Sequence, residues 1–120
     1  SIESRGFIMA GALACNLDAA FIPLRKPHKL PWDTYSVSYE LEYGATDMHI
    51  HKDALDGHKN LLIIDDLLAT GGTVIASLDL IAKFKNKNVV GAGFVINLPE
   101  LGGLKKLQDI GIKSKYLIEF

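Results

Sequence analysis

Hydrophobic and polar residues alternate strictly along residues 36–43, SVSYELEY. Because successive side chains of a β-strand point to opposite faces, this pattern predicts a strand with one apolar and one polar face. Residues 46–51, TDMHIH, alternate as well, and Gly44-Ala45 lies between the two stretches, so an antiparallel hairpin is predicted. The apolar face carries Val37, Tyr39, Leu41 and Tyr43, and the polar face carries Ser36, Ser38, Glu40 and Glu42.

Two other stretches are continuously apolar rather than alternating. Residues 59–65 and 88–98 therefore predict strands that are buried on both faces, as in a parallel sheet. Apolar residues at helical spacing predict a helix over 73–84, and the Ala-rich stretch 7–17 predicts another. Strands that alternate with helices indicate an α/β fold of three layers, with a mainly parallel sheet and helices on both faces. The remaining predicted elements are a strand over 19–26, a poor or short helix over 101–111 and a last strand over 114–120.

Length and composition predict one ordinary globular domain. The chain has 120 residues, of which 48% are hydrophobic and 22% charged. The net charge is −1 and the pI is near 6.4, so the chain as a whole lacks the positive charge that binding to nucleic acid or to an anionic membrane would favour. No apolar run approaches the roughly 20 residues that a membrane span needs. Cys15 is the single cysteine and no export signal is visible, so a cytoplasmic location is expected.

The candidate chemistry lies in LLIIDDLLATGGTV, residues 61–74. A turn between a parallel strand and a helix lies at the carboxyl edge of the sheet, where open α/β folds bind ligands. Gly71 and Gly72 permit backbone angles at which successive amides can converge on an anion, and the following helix N-terminus adds partial positive charge. Asp65 and Asp66 come just before this anion-binding turn and could accept hydrogen bonds from vicinal hydroxyls. The pattern favours binding of a ribose 5-phosphate.

Two other interpretations of this stretch remain open. The acids could cap the helix while the glycines form a simple turn. Alternatively, the apolar strand and acid pair could be a Walker B element, although the P-loop that would accompany it is absent from the sequence.

Five short stretches together resemble a known family. The segment DDLLATGGT (65–73) resembles the phosphoribosyl pyrophosphate (PRPP) motif of type I phosphoribosyltransferases. The order of this segment and four others is similar to that of the adenine phosphoribosyltransferase family: ESRGF (3–7), PLRKPHKLP (23–31), YELEYG (39–44) and LPEL (98–101). The resemblance covers essentially the whole chain. It implies a type I phosphoribosyltransferase fold and a Mg²⁺-dependent reaction in which adenine and PRPP give AMP and pyrophosphate.

The resemblance also implies roles for individual residues. The 5-phosphate would be held by the glycine loop and the ribose hydroxyls by the acid pair. Pyrophosphate would be bound by basic residues, some of which can reach across a dimer interface in this family, and no protein ligand for the metal is assigned. A homodimer with adenine and PRPP as partners is implied. The phosphoribosyl-binding residues are Asp65, Asp66, Ala69, Thr70, Gly71, Gly72 and Thr73, and the pyrophosphate-binding residues are Arg5, Arg25, Lys26 and Lys29.

The family likeness makes residues 27–51 a flap within a single domain of residues 1–120. Glu42 is the expected catalytic residue, as an acid/base aid to the purine, although the sequence alone favours a solvated strand residue at this position. Tyr43 is expected to help seal the site, and Leu98 to lie near the base. A flap that closes over the substrates would exclude water that could hydrolyse PRPP.

The chain departs from the family at its start. Family members carry about 50 residues ahead of the Ser4-Arg5-Gly6 turn, including a central strand, and a sheet without that strand would have bare edges. The sequence therefore predicts a partial domain whose sheet is interrupted or is completed by another segment. Asn97 replaces a common acid, and the stretch 101–103 replaces more basic residues with no expected effect on catalysis. Two other functions remain: a PRPP-sensing or nucleotide-sensing regulator of the same fold, and an inactive remnant that only binds PRPP.

Overall fold

The computed structural model describes residues 1–41 and 43–120. Helices and strands alternate along these ranges after an N-terminal helix and a β-hairpin. None of the described helices is both long and apolar enough to cross a membrane. The elements are α1 (Gly6–Leu17), β1 (Thr34–Leu41), β2 (Gly44–His51), β3 (Asn60–Leu68), α2 (Gly72–Ile81), β4 (Asn88–Asn97), a 3-10 helix (Pro99–Leu101), α3 (Gly103–Asp109) and β5 (Ser114–Glu119).

The hairpin predicted from the alternating pattern is confirmed. β1 and β2 pair antiparallel with Thr34 opposite His51 and Leu41 opposite Gly44. Gly44 and Ala45 belong to β2, so they do not form the connection between the strands that the sequence predicted. Val37 and Tyr39 are half-buried against the core, as the alternation predicted.

The parallel sheet has the order β3-β4-β5. β3 extends to Leu68, further than predicted, because Leu67 and Leu68 continue the ladder opposite Ile96 and Asn97 of β4. The acid pair therefore lies within the strand. Among the described strands β3 pairs only with β4, and the hairpin forms a separate sheet. This arrangement agrees with the interrupted sheet that the sequence predicts.

Two details of the sequence prediction are wrong. Residues 19–26 form no strand: Leu24 and Arg25 make only isolated bridges, because Pro23 and Pro27 provide no backbone donor for a ladder. The two strands predicted to be buried on both faces are also not buried throughout, since Leu62 of β3 and Val90 of β4 remain 47% and 49% exposed. The described elements leave that part of the sheet uncovered.

The core joins the hairpin to the parallel sheet through α2. Met48 of β2, Ile63 of β3, Leu80 of α2 and Phe94 of β4 are all at most 5% exposed and belong to one cluster. Ser77 of α2 is fully buried and donates a hydrogen bond to the Thr73 carbonyl oxygen at 2.8 Å. The helix that follows the glycine loop therefore packs in a core that contains residues of both sheets.

Candidate active site

A cleft of about 330 Å³ lies between the segment before α1, the end of β1 and the loop after β3. Its walls are formed by residues 2–5, 39–41 and 65–73. The cleft therefore brings together the Ser-Arg-Gly turn, one strand of the hairpin, the acid pair and the glycine loop. A second cleft of about 300 Å³ between α1 and β3 is lined mainly by apolar residues and contains neither the acids nor the glycine loop.

The two adjacent acids occupy different environments. Their side chains leave β3 in opposite directions because they are consecutive residues of a strand. Asp65 is only 8% exposed, and its Oδ1 accepts a hydrogen bond from the Asp66 N–H at 2.9 Å. Burial, with a smaller contribution from the neighbouring charge of Asp66, raises the pKa of Asp65 to about 6. Asp66 instead forms an ion pair with Arg5, with 2.7 Å between Oδ2 and Nε.

These positions contradict the capping interpretation of the acids. Both carboxylates precede the end of β3, and α2 begins only at Gly72, with Gly71 rather than an acid as its N-cap. The Walker B interpretation receives no support either. The glycine loop directly follows the strand that carries the acids, and the acids and the loop line the same cleft.

The loop between β3 and α2 consists of Ala69, Thr70 and Gly71. Gly71 has φ of 81°, a left-handed conformation that favours glycine, and it is the N-cap of α2. The first amides of a helix have no acceptor within the helix. Within residues 1–41 and 43–120, the Gly72 N–H has only a long contact of 3.4 Å to Thr70 Oγ1. The loop therefore presents amides and hydroxyls to the cleft, as an anion site requires.

The Ser-Arg-Gly turn contacts the acid pair directly. Arg5 remains 73% exposed while it pairs with Asp66, so its guanidinium is accessible to a ligand in the cleft. Gly6 is buried at the start of α1, and a Cβ there would lie 2.7 Å from Asp65 Oδ1. A glycine is thus required for α1 to begin against the buried acid.

The other predicted basic residues do not line the cleft. Arg25 forms an ion pair with Glu3, with 3.2 Å between Nε and Oε2, and donates to the Lys29 carbonyl oxygen at 3.2 Å. The Lys26 backbone N–H also donates to Glu3 Oε2 at 2.9 Å. Although burial opposes it, these hydrogen bonds and the charges of Arg25 and Lys29 lower the pKa of Glu3. Glu3 lines the cleft, so its carboxylate connects the segment that contains Arg25 and Lys26 to the site.

The flap contributes a residue that the sequence did not single out. Tyr39 lines the cleft, and burial together with the charges of Asp65 and Glu3 raises its pKa. Tyr43 is 93% exposed and Leu98 is half-buried, and neither lines the cleft. Glu42 lies outside the described residues. The predicted roles of these three residues therefore stay predictions.

The whole of this site falls within a recognised family domain. Residues 1–115 match the family model described as phosphoribosyl transferase domain. The chain belongs to this family. The resemblance seen in the short motifs is thereby confirmed over nearly the full chain.

Phosphoribosyl transferase domains with known structures have the same fold. The chain is 49% identical over 119 residues to adenine phosphoribosyltransferase of Rhizobium meliloti (strain 1021), covering 99% of the chain and 66% of the relative. The adenine phosphoribosyltransferase structure from Thermoanaerobacter pseudethanolicus ATCC 33223 matches with a TM-score of 0.90 and 44% identity, covering 99% of the chain and 67% of that structure. The expected type I phosphoribosyltransferase fold is confirmed, and the chain spans about two thirds of these relatives.

A third relative was solved with ligands. The Saccharomyces cerevisiae adenine phosphoribosyltransferase, complexed with adenine and an imino-altritol bisphosphate, matches with a TM-score of 0.89 and 36% identity. The match covers 98% of the chain and 65% of that structure. Like the other two relatives, it carries the name that the motifs suggested.

Proposed function

We propose that the protein transfers the phosphoribosyl group of PRPP to adenine, which yields AMP and pyrophosphate in purine salvage. The observation that carries this proposal is the cleft in which the acid pair, the glycine loop and Arg5 line one cavity. Family membership and three relatives named adenine phosphoribosyltransferase support it.

The cleft offers a separate partner for each part of PRPP. The amides and hydroxyls of residues 69–73 would hold the 5-phosphate at the N-terminus of α2. Asp65 and Asp66 would accept hydrogen bonds from the ribose hydroxyls. Arg5 would exchange its exposed ion pair with Asp66 for pyrophosphate oxygens, to which a guanidinium can donate two parallel hydrogen bonds.

In the reaction, the bond between ribose C1 and the pyrophosphate oxygen breaks, and its electron pair leaves with pyrophosphate. A ring nitrogen of adenine donates the pair that forms the new bond to C1 and loses its proton. Glu42 is proposed as the acid/base group for that proton. The flap of residues 27–51 would close over the substrates, with Tyr43 and Leu98 near the base, and exclude water. Arg25, Lys26 and Lys29 do not line the cleft of their own chain, and they would add positive charge near the leaving group from across the proposed dimer interface.

Mg²⁺ is the proposed cofactor. Among the described residues no three His, Cys, Asp or Glu side chains cluster as a metal site. Magnesium commonly binds through one or two carboxylates, several waters and substrate phosphates, and the acids of the cleft fit that mode. When bound, the ion would neutralise charge that develops on pyrophosphate. We also propose that residues 1–120 form a single, partial phosphoribosyltransferase domain. The proposed location is cytoplasmic, and the proposed assembly is a homodimer with no nucleic-acid or membrane partner.

The test is AMP formation by the purified protein from adenine, PRPP and Mg²⁺, with hypoxanthine and guanine assayed in parallel. Adenine-selective turnover is expected. An Asp66→Asn variant should lose turnover, whereas Asp79→Asn, which changes an exposed acid of α2, should retain it. Binding of PRPP without turnover of any base would contradict the transferase and favour a sensing role. Turnover with another base but not with adenine would contradict the proposed substrate.

A further inference from the structure

The segment after β4 packs directly on the glycine loop, although its residues do not line the cleft. The Leu98 N–H donates to the Leu68 carbonyl oxygen at 2.9 Å, where β3 ends. The Gly103 N–H donates to the Ala69 carbonyl oxygen at 3.0 Å, within the loop itself. The last residue of β3 and the first residue of the loop are therefore hydrogen-bonded to a segment that does not line the cleft.

Gly103 approaches the loop too closely for any other residue. A Cβ at Gly103 would overlap the Ala69 carbonyl oxygen, and it would lie 2.9 Å from the Gly71 nitrogen and 3.0 Å from Leu68 Cδ1. Two of these three atoms belong to the backbone of the loop, so they cannot move aside without a change in the loop. Gly103 is itself buried.

We propose that Gly103 is a positioning residue for phosphate binding, which acts through the backbone of the glycine loop. The inference rests on the proposed function, since it assigns the loop to the 5-phosphate. The Gly103 N–H holds the Ala69 carbonyl oxygen toward α3, whose residues do not line the cleft. A carbonyl oxygen turned into the cleft would repel a phosphate. The close backbone contact also fixes Gly71, whose φ of 81° sets the direction of the amides that follow.

Gly102 provides a matched control beside Gly103. It has φ of 73°, so an alanine there is strained, but a Cβ would meet no atom within 4 Å. Gly102→Ala therefore adds backbone strain to the same turn without touching the loop. Gly103→Ala introduces the same methyl group directly against the backbone of the glycine loop. A difference in phosphate affinity between the two variants reports on the loop contact and not on the stability of the turn.

The experiment measures the dissociation constant for ribose 5-phosphate by calorimetry for the unaltered protein and both variants. Gly103→Ala should weaken binding by about tenfold or more, and Gly102→Ala by less than about threefold. In the transfer reaction Gly103→Ala should raise KM for PRPP and leave KM for adenine unchanged. Equal ribose 5-phosphate affinity in the two folded variants would overturn the inference alone. If the unaltered protein binds no ribose 5-phosphate, both the proposed function and this inference fail.

A second measurement needs no variant and covers the case in which Gly103→Ala does not fold. Hydrogen exchange of individual amides is followed by NMR with and without saturating ribose 5-phosphate. The Gly103 amide should exchange more slowly when the ligand is bound, because its acceptor, Ala69, belongs to the ordered loop. Protection of the Gly71 and Gly72 amides without any change at Gly103 would contradict a coupling between the two segments.

Discussion

Replacing the buried acid Asp65 with asparagine is expected to stabilise the fold at alkaline pH. Burial raises the pKa of Asp65 from 3.8 to about 6, so folding favours the protonated carboxyl. Stability linked to this group is therefore complete below pH 3.8 and is lost as the pH rises through about 6. At about 1.4 kcal/mol per pKa unit, the raised pKa lowers the stability by roughly 3 kcal/mol at pH 8 and by about 1 kcal/mol at pH 4.5, relative to the acid limit.

The asparagine side chain of the Asp65→Asn variant would keep an oxygen that can accept the Asp66 N–H and would carry no charge. Its two amide hydrogens also need acceptors, so we expect a net gain of about 2 kcal/mol at pH 8. The measurement is the free energy of unfolding in urea at pH 8 and at pH 4.5. Asp79→Asn, on the exposed face of α2, should change stability by less than about 0.5 kcal/mol at both pH values. No gain at pH 8, or an equal gain at both pH values, would refute the argument.

Three further substitutions test separate contacts. Gly6→Ala should cost about 1–3 kcal/mol of unfolding free energy in urea, because its Cβ would press on Asp65. A Cβ at Gly11 of α1 would meet no atom within 4 Å, so Gly11→Ala should stabilise the fold by up to about 1 kcal/mol. Equal effects of the two changes would contradict the contact between Gly6 and Asp65. Arg5→Gln should raise KM for PRPP at least tenfold and change stability by less than about 1 kcal/mol, because its ion pair is exposed; an unchanged KM would remove Arg5 from the site. Lys87→Met should cost about 1–3 kcal/mol of unfolding free energy, because Lys87 Nζ donates to the carbonyl oxygens of Leu55 and His58 at 2.6 and 2.7 Å. Lys85→Met changes an exposed lysine and serves as the control, and similar stabilities of the two variants would argue against this role.

Elements that depend on local pattern could be predicted from the sequence. The hairpin followed from strict alternation, and β3 and β4 followed from continuous apolar runs. Their limits could not be predicted, because the register with β4 decides how far β3 extends past the acids. Residues 19–26 show the opposite error: their composition suits a strand, but Pro23 and Pro27 prevent a ladder.

The candidate site was predictable where its residues are adjacent in the chain. The acid pair and the glycine loop form one continuous motif, and the structure places both in one cleft. Contacts between distant segments carried no comparable signal. Gly6 lies against Asp65, Tyr39 lines the cleft beside it, and Gly103 packs against the loop. The sequence assigned no role to the stretch 101–103, whereas the structure places Gly103 in contact with the loop.

The different surroundings of the two acids set how each can change over evolution. Asp66 lines the cleft and pairs with the exposed guanidinium of Arg5, so the fold could accommodate a longer Glu there, although the proposed contact with the ribose hydroxyls would shift. Asp65 is enclosed, and Gly6 leaves no space even for a methyl group beside its Oδ1. We expect a Glu at that position to displace α1. The fold therefore fixes the side-chain length at Asp65 and tolerates a longer side chain at Asp66.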